Sequence, residues 1–193
     1  MERHRRAIRA TLWLALGLTS LAVAEPRSPR EGEPRIWRGD RELSLHVSPD
    51  FEGAIGDMIF AEAGYGVFLR DGLELRGTFA YTLLEDISGA ENDYKMQELG
   101  LVAEYHFPPG VRPAERIVPY VAVGVGYAKS LFANVDESAV TYGPRVGVKC
   151  YLADNAALDF AAQWRAASAD VFINDFVAED SDLGLGFGIR IVF

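Results

Sequence analysis

The chain has one cysteine in 193 residues. It therefore forms no internal disulfide and no cysteine-based zinc cage. Histidine is also scarce, at three residues, and His4 and His106 stand isolated in the sequence, so no metal-ligand spacing is expected. No apolar run reaches the ~20 residues of a transmembrane helix; one shorter run lies near the N-terminus. Basic residues are in the minority, 19 Lys and Arg against 28 Asp and Glu, for a net charge of −9. That balance argues against a nucleic-acid partner, which needs clustered cations to neutralise phosphates. Apolar residues are not scarce. At 49% of the chain they exclude a disordered polymer. What remains is one glycine-rich, mostly β domain.

The first 24 residues read as a secretory signal peptide. Arg3, Arg5, Arg6 and Arg9 form a basic region, Thr11 to Leu21 an apolar one, and Ala22-Val23-Ala24 a small-x-small cleavage site. No cysteine follows it, so lipoprotein processing is not expected. Residues 25–40 are rich in Pro and Arg and read as a flexible linker, with Trp37 a candidate for a membrane interface.

Residues 41–193 repeat one pattern eight times. Leu43, Leu45 and Val47 alternate with Glu42, Ser44, His46 and Ser48. The last run, Leu183 to Phe193, alternates Leu, Phe and Ile with Gly, Arg and Val. A period of two is a strand with unlike faces. Phe60, Phe68, Gly77 and Pro144 break the rule. Asp71-Gly72 and Asp154-Asn155 predict tight turns; short second and sixth links with longer ones on the other side suit an up-and-down membrane barrel, and the fourth link, around 108–116, is longer than that rule prefers. The fold class expected is all-β: an eight-stranded antiparallel up-and-down transmembrane β-barrel behind a cleaved signal peptide.

Alternation alone does not say which face is wet. A soluble lipocalin-like carrier would turn its apolar row inward. Three features favour a polar lumen. Ten glycines lie in the polar row (64, 66, 100, 124, 126, 143, 147, 184, 186 and 188), where a narrow interior needs small residues. The charges of that row balance, with Glu62, Glu74, Glu98, Glu104 and Asp159 against Arg76, Arg145, Lys149, Arg165 and Arg190; buried charges require such pairing. Aromatic residues gather at the strand ends: Tyr81, Tyr127 and Tyr142 at one, Tyr105, Phe107 and Phe193 at the other.

The final strand, with Phe187, Ile189, Ile191 and a terminal Phe193, resembles the C-terminal assembly signal of outer-membrane β-barrels. Residues 41–193 are similar to the small outer-membrane barrel superfamily that includes the OmpA transmembrane domain, OmpX and OmpW. Pro119 to Tyr127 and Tyr151 to Asp159 have that look. The resemblance implies an outer-membrane location in a Gram-negative bacterium, both barrel termini in the periplasm, contact with membrane lipid and lipopolysaccharide, and recognition of the last strand by the barrel-assembly machinery. A monomer without cofactor is expected, and no cell-wall domain beyond Phe193.

The same orientation puts four links outside, about 49–57, 85–93, 130–138 and 170–182. They hold 14 acids and no Lys or Arg. The acids singled out are Glu85, Asp86, Glu91, Asp93, Asp170, Asp175, Glu179, Asp180 and Asp182. Such a rim attracts divalent cations, or a cationic partner. Eight strands leave a lumen just filled by side chains, so a narrow conduit for small solutes is an alternative and a wide pore is not. His46 and Ser48 share a face of the first strand and raise a second alternative, a lipid A-modifying hydrolase; a lumenal His facing away from lipid argues against it, and no catalytic residue is expected. Cys150 falls in the lipid-facing row, where a free thiol acts as a small hydrophobe.

Overall fold

The computed structural model describes residues 36–50, 56–86, 94–107, 116–132, 135–174 and 177–193. The predicted signal peptide and the linker as far as residue 35 lie outside these. Eight strands close a barrel: β1 (Arg41–Asp50), β2 (Gly56–Arg70), β3 (Leu73–Asp86), β4 (Tyr94–His106), β5 (Ile117–Phe132), β6 (Val135–Ala153), β7 (Ala156–Ala167) and β10 (Ser181–Val192). Each pairs antiparallel with its neighbours, and β10 returns to β1. Two short strands, β8 (Phe172–Asn174) and β9 (Val177–Glu179), form a hairpin between β7 and β10.

The two-residue period builds the two faces of this wall. Outward positions are apolar and open: Leu183 is 75% exposed, Leu185 73%, Leu99 66% and Leu152 64%. Inward positions on the same strands carry Arg190, Glu104 and Lys149 at 0%. A water-soluble barrel needs the reverse, because exposed apolar area costs about 25 cal/mol per Å². Lipid outside and charge inside is the arrangement these residues satisfy. Tyr105 and Phe107 stack edge to face at 5.2 Å, and Tyr65 lies 6.5 Å from Phe193, at the end where the barrel's termini meet. That end is the floor and the opposite one the mouth.

Tight turns lie where the sequence puts them. Asp71-Gly72 links β2 to β3, with Gly72 at φ +77°, a conformation glycine adopts without strain. Asp154-Asn155 links β6 to β7. The link expected over 130–138 is different: β5 runs to Phe132 and β6 starts at Val135. The strands outrun their alternating segments, because above the lipid neither face need be apolar and the period fades. For the same reason Asp50, Asp57, Glu85, Asp86, Asp136, Glu137 and Asp182 belong to barrel strands rather than to loops, and Glu179 to β9.

Two places in the wall are loosely knit. The β6–β7 ladder passes from Tyr142↔Ala166 to Arg145↔Gln163 without pairing Gly143 or Pro144; proline has no N–H to give. The β1–β10 register extends only from Glu42↔Val192 to Val47↔Phe187, whereas β5–β6 runs unbroken from Ile117↔Cys150 to Phe132↔Val135.

Candidate functional site

The lumen is filled by ion pairs in three tiers. Nearest the floor, Glu42, Glu74 and Glu104 face Arg76, Lys149 and Arg190, all fully buried. Lys149 Nζ lies 2.7 Å from Glu42 and 3.1 Å from Glu104. Arg190 donates to Glu42 at 2.6 Å and to Glu104 at 3.1 Å, and also pairs with Asp159. Arg76 donates to Glu104 at 2.8 Å. In the middle tier Arg145 grips Glu62 with two bonds of 2.8 Å, the bidentate geometry that suits a guanidinium to a carboxylate. Nearest the mouth, Arg165 lies 3.4 Å from Glu98 and pairs with Asp182, while the Thr141 hydroxyl donates to Glu98 at 2.6 Å.

His46 joins the lower tiers. Its Nε2 is 2.6 Å from Asp159 and its Nδ1 3.4 Å from Glu62. Both ring nitrogens thus face carboxylates, leaving neither to activate a serine, and the Ser48 hydroxyl donates to the carbonyl of Leu185. Gly188 makes the placement of His46 feasible, because a Cβ there would collide with the imidazole.

All ten charged residues of the predicted interior row, Glu62, Glu74, Arg76, Glu98, Glu104, Arg145, Lys149, Asp159, Arg165 and Arg190, occupy this lumen. The expected balance of five against five is incomplete. Glu42 and Asp182 also point in, so seven carboxylates meet five Arg and Lys side chains. His46 and His106 each lie beside two of these carboxylates. His106 is not isolated: its Nε2 is 2.7 Å from Glu104 and 3.9 Å from Glu74. The sequence carried the signal, since Glu42, His46 and His106 all sit in the inward phase of their strands.

Ligand atoms of Glu42, Glu74 and His106 lie within 4.8 Å of one another. Arg76, Lys149 and Arg190 approach Glu74 to 3.7, 3.8 and 3.9 Å and already supply the positive charge a cation would bring.

Both ends of the lumen are stoppered. At the floor, Ile36 is buried with Phe68, Val118, Tyr151 and Ala157. The tail behind it is tied down: Gly39 N donates to Phe68 O at 2.8 Å, Phe68 N to Asp40 O at 2.9 Å, and Arg38 N to Asp71 at 3.1 Å. Residues 36–40 are thus docked to the barrel rather than part of a flexible linker, and Trp37 is half-buried there. At the mouth, Tyr94, Met96, Val171 and Phe172 pack with Ala128, Ala139 and Ala167. Phe60 and Phe68, which break the alternation, both face inward: Phe68 is part of the floor stopper, and the Phe60 ring lies 5.0 Å from the Arg165 guanidinium carbon. Tyr94, Met96 and Phe172 were missed, because lumenal apolar residues have the same phase as lumenal polar ones.

Of the acidic residues assigned to the outer links, Asp170 and Asp180 are exposed at the mouth. Asp182 is a correction: it lies within β10, paired to Arg165. Glu91, Asp93 and Asp175 fall outside the described residues, as do the side chains of Glu85 and Asp86. Phe187 and Ile189 of the predicted assembly signal face outward at 50% and 51% exposure, and Ile191 and Phe193 are half-buried.

A family model described as "Outer membrane protein beta-barrel domain" matches residues 14–190. No curated protein matches the chain in sequence. Among solved structures it is similar to neisserial surface protein A, at 16% identity and a TM-score of 0.54, covering 80% of this chain and 96% of that one. The N-terminal β-barrel domain of Pseudomonas aeruginosa OprF is 20% identical with a TM-score of 0.53, over 81% and 98% of the two chains. The outer membrane protein OprG of Pseudomonas aeruginosa is 13% identical with a TM-score of 0.51, over 83% and 99%. At these identities the likeness is one of fold.

Proposed function

Because the chain belongs to the outer membrane protein β-barrel family, and so sits in the outer membrane of a Gram-negative bacterium, we propose that it is a structural, surface-presenting barrel and not an open conduit or an enzyme. The observation that carries this reading is the lumen: three tiers of ion pairs, with an apolar stopper at each end. Such an interior stiffens the wall and, among the described residues, fills the lumen with paired side chains. With the floor in the periplasm, the mouth presents Asp170 and Asp180 outward, along with Glu137, which is exposed on β6; Asp136 beside it is paired with Lys129 at 3.3 Å. These carboxylates recruit divalent cations that bridge to lipopolysaccharide phosphates, or meet a cationic partner. The last strand, ending in Phe193, serves the assembly machinery.

The test is paired. In planar bilayers the purified barrel gives no steady conductance; sustained channels would overturn the structural reading. In vesicles containing lipopolysaccharide, calcium raises the melting temperature, and replacing Asp170 and Asp180 by Asn reduces the rise. An unchanged melting temperature removes the cation bridge and leaves the cationic partner.

A further inference from the structure

Two lysines stand apart from the other cations of the barrel. The five lumenal Lys and Arg side chains are held by carboxylates, and Arg38, Arg41, Arg70 and Arg116 lie at the floor. Among the described residues that leaves Lys95 and Lys129, both exposed. Lys95 shares the outward phase of β4 with Gln97, Leu99 and Leu101, and Lys129 that of β5 with Tyr127 and Val125. Both therefore stand on the lipid side of the wall and not over the lumen.

Their height decides what surrounds them. Tyr105 belongs to the aromatic girdle at the floor, and Lys95 stands ten positions above it in β4. On a tilted strand that is a rise of about 25 Å, the height of the apolar band of an outer-membrane barrel. The register sets three rows across β4, β5 and β6 here. Leu99, Tyr127 and Val140 make the lowest, apolar and exposed. Gln97, Lys129 and Ser138 make the next, and Lys95, Leu131 and Asp136 the uppermost. The outer face thus turns from apolar to polar at the level of the lipid headgroups.

Lys95 and Lys129 are diagonal neighbours, since Lys95 pairs with Leu131. Side chains so related start about 7–8 Å apart, which lets two flexible four-carbon stems converge on one anion. Lys129 Nζ is 3.3 Å from Asp136, with 59% and 61% of the two side chains exposed. An ion pair so open contributes little and is exchanged for a phosphate monoester, which carries more charge than a carboxylate.

We propose that Lys95 and Lys129, flanked by Gln97 and Ser138, bind a phosphate of lipid A in the outer leaflet, with the acyl chains lying against Leu99, Tyr127 and Val140. The inference rests on the orientation given above, with the floor in the periplasm. Its chemistry differs from that of the acidic rim: ammonium groups meet the phosphate directly, and no divalent ion takes part.

The experiment uses the purified protein in a neutral detergent with EDTA, which removes divalent bridges. Bis-phosphorylated lipid A is titrated in, and bound lipid is counted by native mass spectrometry. Boiled and unboiled samples on detergent gels show that each variant is a closed barrel. Lys95→Gln and Lys129→Gln each weaken binding by about fivefold, the share of one lysine beside an anionic headgroup, and the double variant weakens it further. Asp136→Asn tightens binding, because Lys129 loses its competing partner. Dephosphorylated lipid A binds the parent and the double variant alike. Parent-like binding by the double variant overturns the proposal, as does an equal loss with the dephosphorylated lipid, since the lysines then read no phosphate. Displacement of lipid A from the parent by millimolar inorganic phosphate also overturns it, because the site then takes a free anion. Failure here leaves the calcium-dependent rise in melting temperature standing, and absence of that rise leaves this site standing.

Discussion

Glu104 is the residue on which the floor tier turns. Its carboxylate lies within 3.2 Å of Arg76, Lys149, Arg190 and His106. Removing it takes from Arg76 its nearest carboxylate and leaves Arg76, Lys149 and Arg190 to share Glu42, Glu74 and, for Arg190, Asp159. Breaking a buried ion pair from one side costs about 3–5 kcal/mol. Glu104→Ala is therefore expected to lower the urea stability of the reconstituted barrel by that amount. A shift below 1 kcal/mol, of the order seen for exposed pairs, would show that water reaches the tier. At this scale the sequence was informative about side and silent about partner. Phase alone puts Glu104 inside. Its partners come from β3, β4, β6 and β10, and which of four strands meet at one height is set by tilt and stagger, which no local pattern records. Phe60 and Phe68 were legible only as exceptions, since an apolar residue in a polar row gives no hint that an end must be stoppered.

Among the elements, the tail before β1 departs most from its composition. Pro and Arg dominate residues 25–40, yet Ile36 is 4% exposed. One apolar side chain at the right distance from β1 suffices, because Phe68, Val118 and Tyr151 already form a socket. Ile36→Ala is expected to cost about 2 kcal/mol, the low end for such truncations because a segment at the end of the barrel can relax around the smaller side chain. Limited proteolysis should then cut near residues 36–40 while the unboiled barrel band persists. Cleavage at the same rate in both proteins would mean the tail is released without the mutation. Turns were more legible than strand lengths. Asp71-Gly72 announces itself through residue chemistry. The upper ends of β5 and β6 do not, since two-sided solvation there removes the alternation by which strands are read.

On the scale of the whole molecule, the closed barrel follows from eight amphipathic runs, and the choice of lumen over lipid for the charged row follows from glycine and paired charge. The rim is less determined by sequence. Its acids are scattered among strand ends and links, and composition cannot say that Asp182 is spent on Arg165 while Asp170 and Asp180 remain free to act outward.

The short register between β1 and β10 has a kinetic consequence. Every other ladder of the barrel joins strands that are successive in the chain or, for β7 and β10, separated only by the short β8–β9 hairpin; this one joins residues separated by nearly the whole domain. Contacts so remote carry the greatest loop-closure entropy and form late. The barrel is therefore sealed by its least extensive ladder, after all the others are in place. The reverse holds for breathing. Amide hydrogens of β1 and β10 are expected to exchange with deuterium ahead of those of β5 and β6, beginning above Val47 and Phe187, where the ladder ends, and spreading toward the floor. Uniform exchange around the ring would mean that the barrel opens as one unit. If the seam leads, the first and last strands form a zip, and the ion pairs of Glu42 and Arg190, one on each side of it, are its clasp.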